Sequence, residues 1–213
     1  MDKPLETEFQ GIYGSYKITS SDQIEVKKYR IALLICGLSF SIGLVHWLLI
    51  GSEHAWFWFI PMTASLGYAL KWIHIYIRLL HQTLQILWGI GTLGIGILIL
   101  KGNSQDMLSD IASKPILTLL IGPYFAALTG LGFKEFFCFR RPEAIGLTFL
   151  LPISLGGHLL GILNNETVML LQCISAILLV ILALRKFGMD AAADIGDKSV
   201  FDHLNNQRST QTV

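Results

Sequence analysis

Six apolar stretches lie between Ile31 and Arg185, at about 31–50, 55–72, 84–100, 116–134, 144–163 and 167–185, and the basic residues fall almost wholly on alternate connections. A hydrocarbon core about 30 Å thick needs roughly 20 apolar residues per helix. Six such stretches in 213 residues leave only polar termini and short loops, so no second soluble domain fits. With 53% hydrophobic and 15% charged residues and a mean hydropathy of +0.57, the chain is too apolar for an ordinary soluble domain, where about a quarter of residues are charged. The expected fold is all-α: a polytopic membrane protein with six transmembrane helices.

Cation sorting orients that bundle. Of the 16 Lys and Arg residues, 14 lie in the N-terminal segment, the second and fourth loops and the tail; only Lys101 and Lys114 occupy the other three loops. The positive-inside rule then puts both termini on the cytoplasmic side or its topological equivalent. The first 28 residues are polar, so no cleavable signal peptide is expected. Lys27, Lys28 and Arg30 directly precede the first apolar run, which should stay in the membrane as an anchor. The chain divides into a cytoplasmic segment 1–30, a six-helix domain 31–186 and a flexible polar tail 187–213. Residues 1–18 read as an irregular segment lying back on the membrane surface. Hydroxyls at Thr19, Ser20 and Ser21 ahead of Asp22 and Glu25 predict a helix start near Ser20.

Candidate site residues are few. Gly122, Ala126 and Gly130 recur four apart, as do Gly157 and Gly161, and Thr92 and Gly96; such faces let helix backbones approach closely, within a bundle or across a dimer seam. His46 and His158 sit within apolar runs. A neutral imidazole there can ligate a chlorophyll or haem or relay a proton, or simply hydrogen-bond a neighbouring helix. No bis-histidine register is present, so the sequence requires no cofactor, although a bound pigment is compatible with it. Cys36, Cys138 and Cys173 are too far apart for metal-ligand spacing and read as structural filler. Lys71, His74, Arg78 and His81 are spaced for one helical stripe facing anionic headgroups. Phe133, Phe136, Phe137 and Phe139, interleaved with Arg140 and Arg141, form either an interfacial anchor or a docking patch.

Enzyme signatures are missing: there is no HExxH, no aspartate pair, no Ser–His pairing on one helix face and no phosphate-cradling loop. Nucleic acid is not an expected partner. Pro61, Pro123 and Pro152 should kink their helices, and no Asp, Glu, Lys or Arg accompanies those breaks.

The tract Gly132-Phe133-Lys134-Glu135-Phe136-Phe137-Cys138-Phe139-Arg140-Arg141-Pro142-Glu143-Ala144, with the lead-in from Ile18 to Arg30, resembles a family of uncharacterised integral membrane proteins of cyanobacteria and plastids. The resemblance covers most of the chain. It implies a thylakoid or plasma-membrane location with cytoplasmic or stromal termini, and a helper role in assembling photosynthetic complexes, with His46 and His158 as pigment contacts. It carries no catalytic residue. The leading expectation is therefore a non-enzymatic protein that acts through helix–helix contacts with subunits of a larger membrane complex. The rival is a small-solute channel or transporter, with Pro123, Pro152 and the glycine-rich third stretch shaping a pore.

Overall fold

The computed structural model describes residues 7–101, 107–200 and 203. Helix α1 (Ser20–Leu49) begins where its cap dictates. The Thr19 hydroxyl accepts from the Asp22 amide, and the Asp22 carboxylate accepts from the Thr19 amide at 2.8 Å, so two orphan donors are satisfied reciprocally. At 1.5 Å per residue its 30 residues reach about 45 Å, and its first turns stand beyond any hydrocarbon core. A 3-10 turn (Ala55–Trp58) leads into α2 (Phe59–Trp72), followed by α3 (Arg78–Lys101) and the short α4 (Met107–Ser113). Then come α5 (Thr118–Phe139), α6 (Pro142–Leu159), α7 (Asn165–Lys186) and a last short α8 (Ala191–Ile195). Pro142 starts α6 at a position that needs no amide, and the Asn164 side chain caps α7 by accepting from Thr167 N at 2.8 Å.

Six helices close a ring in the order α1, α2, α3, α5, α6, α7 and back to α1, with the α3–α5 seam the most extensive. One end of the ring gathers the start of α1, the α2–α3 and α5–α6 turns and the end of α7; this is the basic end. Among the described residues four helices are long and apolar enough to cross a membrane: α1, α3, α5 with its preceding turn, and α7. The other two expected spans are shorter. Helix α2 has 14 residues, and the 18 residues of α6 include Pro152 and His158.

The chain is not all-α. Strands β1 (Thr7–Gly11) and β2 (Gly14–Ile18) pair antiparallel where an irregular segment was expected. Gly14, at φ 138°, makes the tight turn, and the facing Phe9 and Tyr16 rings stack at 5.6 Å. Apolar residues on alternate positions give the hairpin a face that packs with Ile18, Val26 and Ile195 into a small second core.

The expectation of a free tail from residue 187 also fails over 187–200; residues 201–213 apart from His203 lie outside the described residues. That stretch is ordered by charge as well as by the burial of Ile195. Asp197 accepts from Ile12 N at 2.7 Å, Ser199 Oγ accepts from Tyr13 N at 3.1 Å, and Lys198 donates to Asp22 at 2.8 Å. The Ser199 hydroxyl and the Ile12 amide hold the Asp197 carboxyl below its usual range, so the clasp is charged at neutral pH. Both terminal segments thus meet at the basic end.

Helix packing corrects the small-residue expectation by register. The close approach is made by Gly91 and Gly94 of α3, where a Cβ would overlap the backbone of Tyr124 and Leu120 in α5. Gly96 and Gly122 face open space, Ala126 is exposed, Gly130 meets only the flexible Leu84 side chain, and Gly157 meets Leu163. Gly161 lies beyond α6 in a turn at φ 67°. Gly94→Ala and Gly91→Ala are therefore expected to cost about 1–3 kcal/mol by forcing α3 off α5. Gly96→Ala and Gly122→Ala should leave the thermal midpoint of the purified protein unchanged or higher. Equal midpoints across the four variants would rule out the close crossing.

Candidate functional site

The bundle is layered along its axis: charged at the basic end, sealed in the middle and hollow at the far end. The charged layer is built on Lys186, the last residue of α7, which has no exposed surface. Its ammonium donates to Glu135 Oε2 at 2.6 Å and lies 2.5 Å from Asp194 Oδ1 of α8. Glu135 Oε1 accepts from the Tyr29 hydroxyl at 2.7 Å and from Lys134 at 3.1 Å. Asp194 Oδ2 accepts from Arg30 Nε at 2.8 Å, and the rest of that guanidinium donates to the carbonyls of Met189 and Asp190. Phe139 closes the layer with its ring centroid 4.5 Å from the Lys186 ammonium. Three cations and two carboxylates, all buried, join α1, α5, α7 and α8.

Below it, Leu33 and Cys36 of α1, Leu66 of α2, Leu128 and Leu131 of α5 and Leu179 of α7 are fully buried and seal the axis. A short polar chain crosses this layer: Tyr124 OH donates to the Met62 carbonyl at 3.0 Å and contacts Cys36 Sγ at 3.6 Å, and the Ser65 hydroxyl donates to the same carbonyl at 3.1 Å.

Toward the far end the same helices separate around a cavity of about 800 Å³. Small residues open it (Ser39, Gly43, Ala55, Ala112), while Phe40, Leu44, Trp47, Phe125 and Met169 give it apolar walls. Helix α4 covers it, with Met107, Leu108 and Ile111 buried, and is held from α6 by His158 Nε2 donating to the Ile111 carbonyl at 2.9 Å. Leu48 of α1 and Leu170 of α7, 57% and 60% exposed, border the cavity and mark a side slot between those helices; Asn165 and Glu166 form a polar rim.

The histidines expected deep in their spans both lie in last turns at the far end. His46 Nδ1 accepts from the Trp58 indole at 3.2 Å, which commits the lone pair a metal would need. His158 lines the cavity and His46 stands outside its lining. Among the described residues no cluster of three His, Cys, Asp or Glu could hold a metal ion.

The basic stripe is broken, because α2 stops at Trp72 and α3 starts at Arg78. Lys71 reaches over Trp72, His81 bonds the Leu70 carbonyl at 2.6 Å, and burial pushes the His74 imidazole pKa down, so His74 is neutral at pH 7. The phenylalanine loop is divided too. Phe136 joins the core and Phe139 caps the lysines, whereas Phe133 and Phe137 stack outward at 6.1 Å. Arg140 ends α5 in a left-handed conformation at φ 50°, and Arg141 lies 3.8 Å from Glu143.

A family model described as "Uncharacterized integral membrane protein (DUF2301)" matches residues 68–203. The chain belongs to that family. It is therefore an integral membrane protein whose partner is the lipid bilayer, and the matched region carries α4, Glu135, His158, Gln172, Lys186 and Asp194. A stretch of 85 residues is 39% identical to an "Uncharacterized protein" of Haemophilus influenzae, covering 39% of this chain and 48% of that protein. The match thus spans about half the length of this curated relative. No solved structure matches. A relative in a proteobacterium takes the likeness beyond cyanobacteria and plastids, so the thylakoid location and photosynthetic role implied by the earlier resemblance find no support here.

Replacing one member of the charged layer should be costly. Lys186→Met leaves Glu135 and Asp194 without their shared cation and is expected to lose about 3–5 kcal/mol. Arg185→Met, at a half-exposed cation 2.9 Å from Glu143, should lose under about 1 kcal/mol. Thermal midpoints of the two purified variants measure the contrast.

Proposed function

We propose that the protein is a non-enzymatic membrane-embedded binding protein or carrier, whose far-side cavity receives an amphiphilic molecule and whose basic end faces the cytoplasm with both termini. The observation that carries this reading is the 800 Å³ cavity that stops on a packed apolar seal. Its size falls in the range of small-molecule sites, about 300–1,000 Å³, and apolar walls with a few inward polar groups are the usual lining of such sites. The slot between Leu48 and Leu170 suits a tail arriving from lipid, and the Asn165–Glu166 rim suits a wetted group. A continuously open channel is disfavoured by the sealed middle layer. Orientation rests on the cation sorting, with six ring helices crossing or nearly crossing the bilayer. An accessory role through helix contacts is the second reading, favoured by the outward Phe133–Phe137 stack; Phe136 and Phe139, being used internally, contribute nothing to it.

The native cysteines test both chamber and orientation. Cys173 lines the cavity, Cys36 is buried, and Cys138 is exposed at the end of α5. In intact cells a small uncharged methanethiosulfonate is expected to modify Cys173, whereas a charged, membrane-impermeant one should reach Cys138 only after permeabilisation. Ala112→Trp, which fills the cavity, should protect Cys173. A Cys173 that resists the uncharged reagent, or reacts equally in Ala112→Trp, would remove the chamber; a Cys138 labelled from outside by the charged one would reverse the orientation.

A further inference from the structure

A groove of about 430 Å³ runs along the outer seam of α1 and α2, apart from the far-end cavity. The short side chains of Ala32 and Ala64 leave it hollow, and the exposed Ile31, Ile35 and Tyr68 wall it. Ser65 in its lining spends its hydroxyl on the Met62 carbonyl at 3.1 Å, so the body of the groove offers an apolar chain no competing donor. At the basic end it finishes against Trp72, with Tyr68 stacked on that ring at 5.3 Å. The Lys28 and Lys71 ammoniums lie 5.2 and 5.8 Å from centroids of the same indole. Among the described residues neither lysine meets a carboxylate, because the acids of this end are engaged elsewhere. Glu25 lies 3.9 Å from His74, Asp22 accepts from Lys198, and Glu135 and Asp194 share Lys186. Two cations without counter-ions thus stand over a lipid-facing apolar trough, beside the tryptophan and tyrosine that favour the headgroup level.

We infer that this groove binds one anionic phospholipid of the leaflet at the basic end, its phosphate held between Lys28 and Lys71 and one acyl chain laid along the α1–α2 seam toward Ile35 and Pro61. Charge complementarity selects the occupant. A headgroup of net negative charge neutralises both ammoniums, whereas a zwitterionic one brings its own cation against them. Length agrees with an acyl chain: from Trp72 to Pro61 the helix rises about 16 Å, close to one leaflet of a hydrocarbon core about 30 Å thick. The site is independent of the far-end chamber and survives if that chamber holds nothing.

Native mass spectrometry of the full chain in detergent micelles, with equal amounts of dioleoyl phosphatidylglycerol and dioleoyl phosphatidylcholine, reads the preference directly. One phosphatidylglycerol per chain is expected to bind about tenfold more tightly than phosphatidylcholine. Lys28→Gln combined with Lys71→Gln should bring that ratio to within about twofold. Lys27→Gln combined with Arg140→Gln, which removes the same charge from exposed positions off the groove, should leave it unchanged. Ala64→Leu, which fills the trough, should weaken both lipids. Lys28, Lys71 and Ala64 are exposed, so these variants should keep the parent's thermal midpoint in detergent. Equal binding of the two lipids by the parent, a preference that persists without Lys28 and Lys71, or the same loss in the Lys27–Arg140 pair would overturn the site. A dimer of the chain that Ala64→Leu dissociates would give the groove to a second copy instead.

Discussion

Lys186 is fully buried, and its single ammonium is shared between carboxylates that reach it from opposite directions in sequence, Glu135 from α5 and Asp194 from α8. Such a group is tolerable only if every neighbour is in place, because desolvating a charge costs several kcal/mol and only close counter-ions return it. The arrangement of the basic end follows from that requirement. Asp194 must be brought back over the end of α7, which obliges residues 187–190 to turn, and their carbonyls then satisfy Arg30. Arg30 and Tyr29 are adjacent on α1, so the closing seam of the ring, α7 against α1, is locked by the same cluster. The hairpin joins through Asp197 and Lys198, a few residues farther along the returning chain.

With one end locked, the unequal filling of the two halves of the ring becomes consequential. The middle layer places large side chains such as Leu33, Leu128 and Leu179 opposite one another, whereas the far half places Ser39, Gly43, Ala55 and Ala112 around the same axis. Interiors close-pack when side-chain volume allows, so a void of this size is a property of the residues chosen there rather than of the fold. Helix α4 spans the opening without filling it. It is attached from α6 through one imidazole, compared with the many charge-assisted bonds at the basic end. On the carrier reading, motion that admits a ligand belongs to the far half.

The sequence revealed elements better than pairings. Six helices stand close to where apolar runs lie, and Thr19 begins α1 as its hydroxyl–acid pattern implies. The charged layer was illegible because each member has an innocuous local reading. Lys134, Glu135 and Lys186 fall at the ends of apolar runs, where charges ordinarily snorkel to water, and Asp194 falls in a polar tail. Only the return of the chain shows that they face one another. The glycine register was missed for a related reason. Four-residue spacing identifies small faces but not which one meets a neighbour, and Gly91 and Gly94, three apart, meet Tyr124 and Leu120. The hairpin lacked the Asn-Gly or Asp-Gly signal that marks two-residue turns, since Ile12 and Tyr13 occupy its tip.

The family match offers a way to separate scaffold from site. Residues 68–203 hold α4, Glu135, Lys186, Asp194, Thr118 and Gln172, yet they lack α1 and the first nine residues of α2, so that region alone leaves the ring open and the Asp194 carboxylate without its guanidinium. Helix α1 contributes to the cavity mainly volume and shape, through Ser39, Phe40, Gly43, Leu44 and Trp47, while the polar rim residues Asn165 and Glu166 come from the start of α7. If the cavity is a binding chamber, changes along α1 would alter how large a molecule fits, and changes at the Asn165–Glu166 rim would alter which wetted group is accepted. On that reading size and chemistry are governed by different helices, joined at the basic end by one buried lysine.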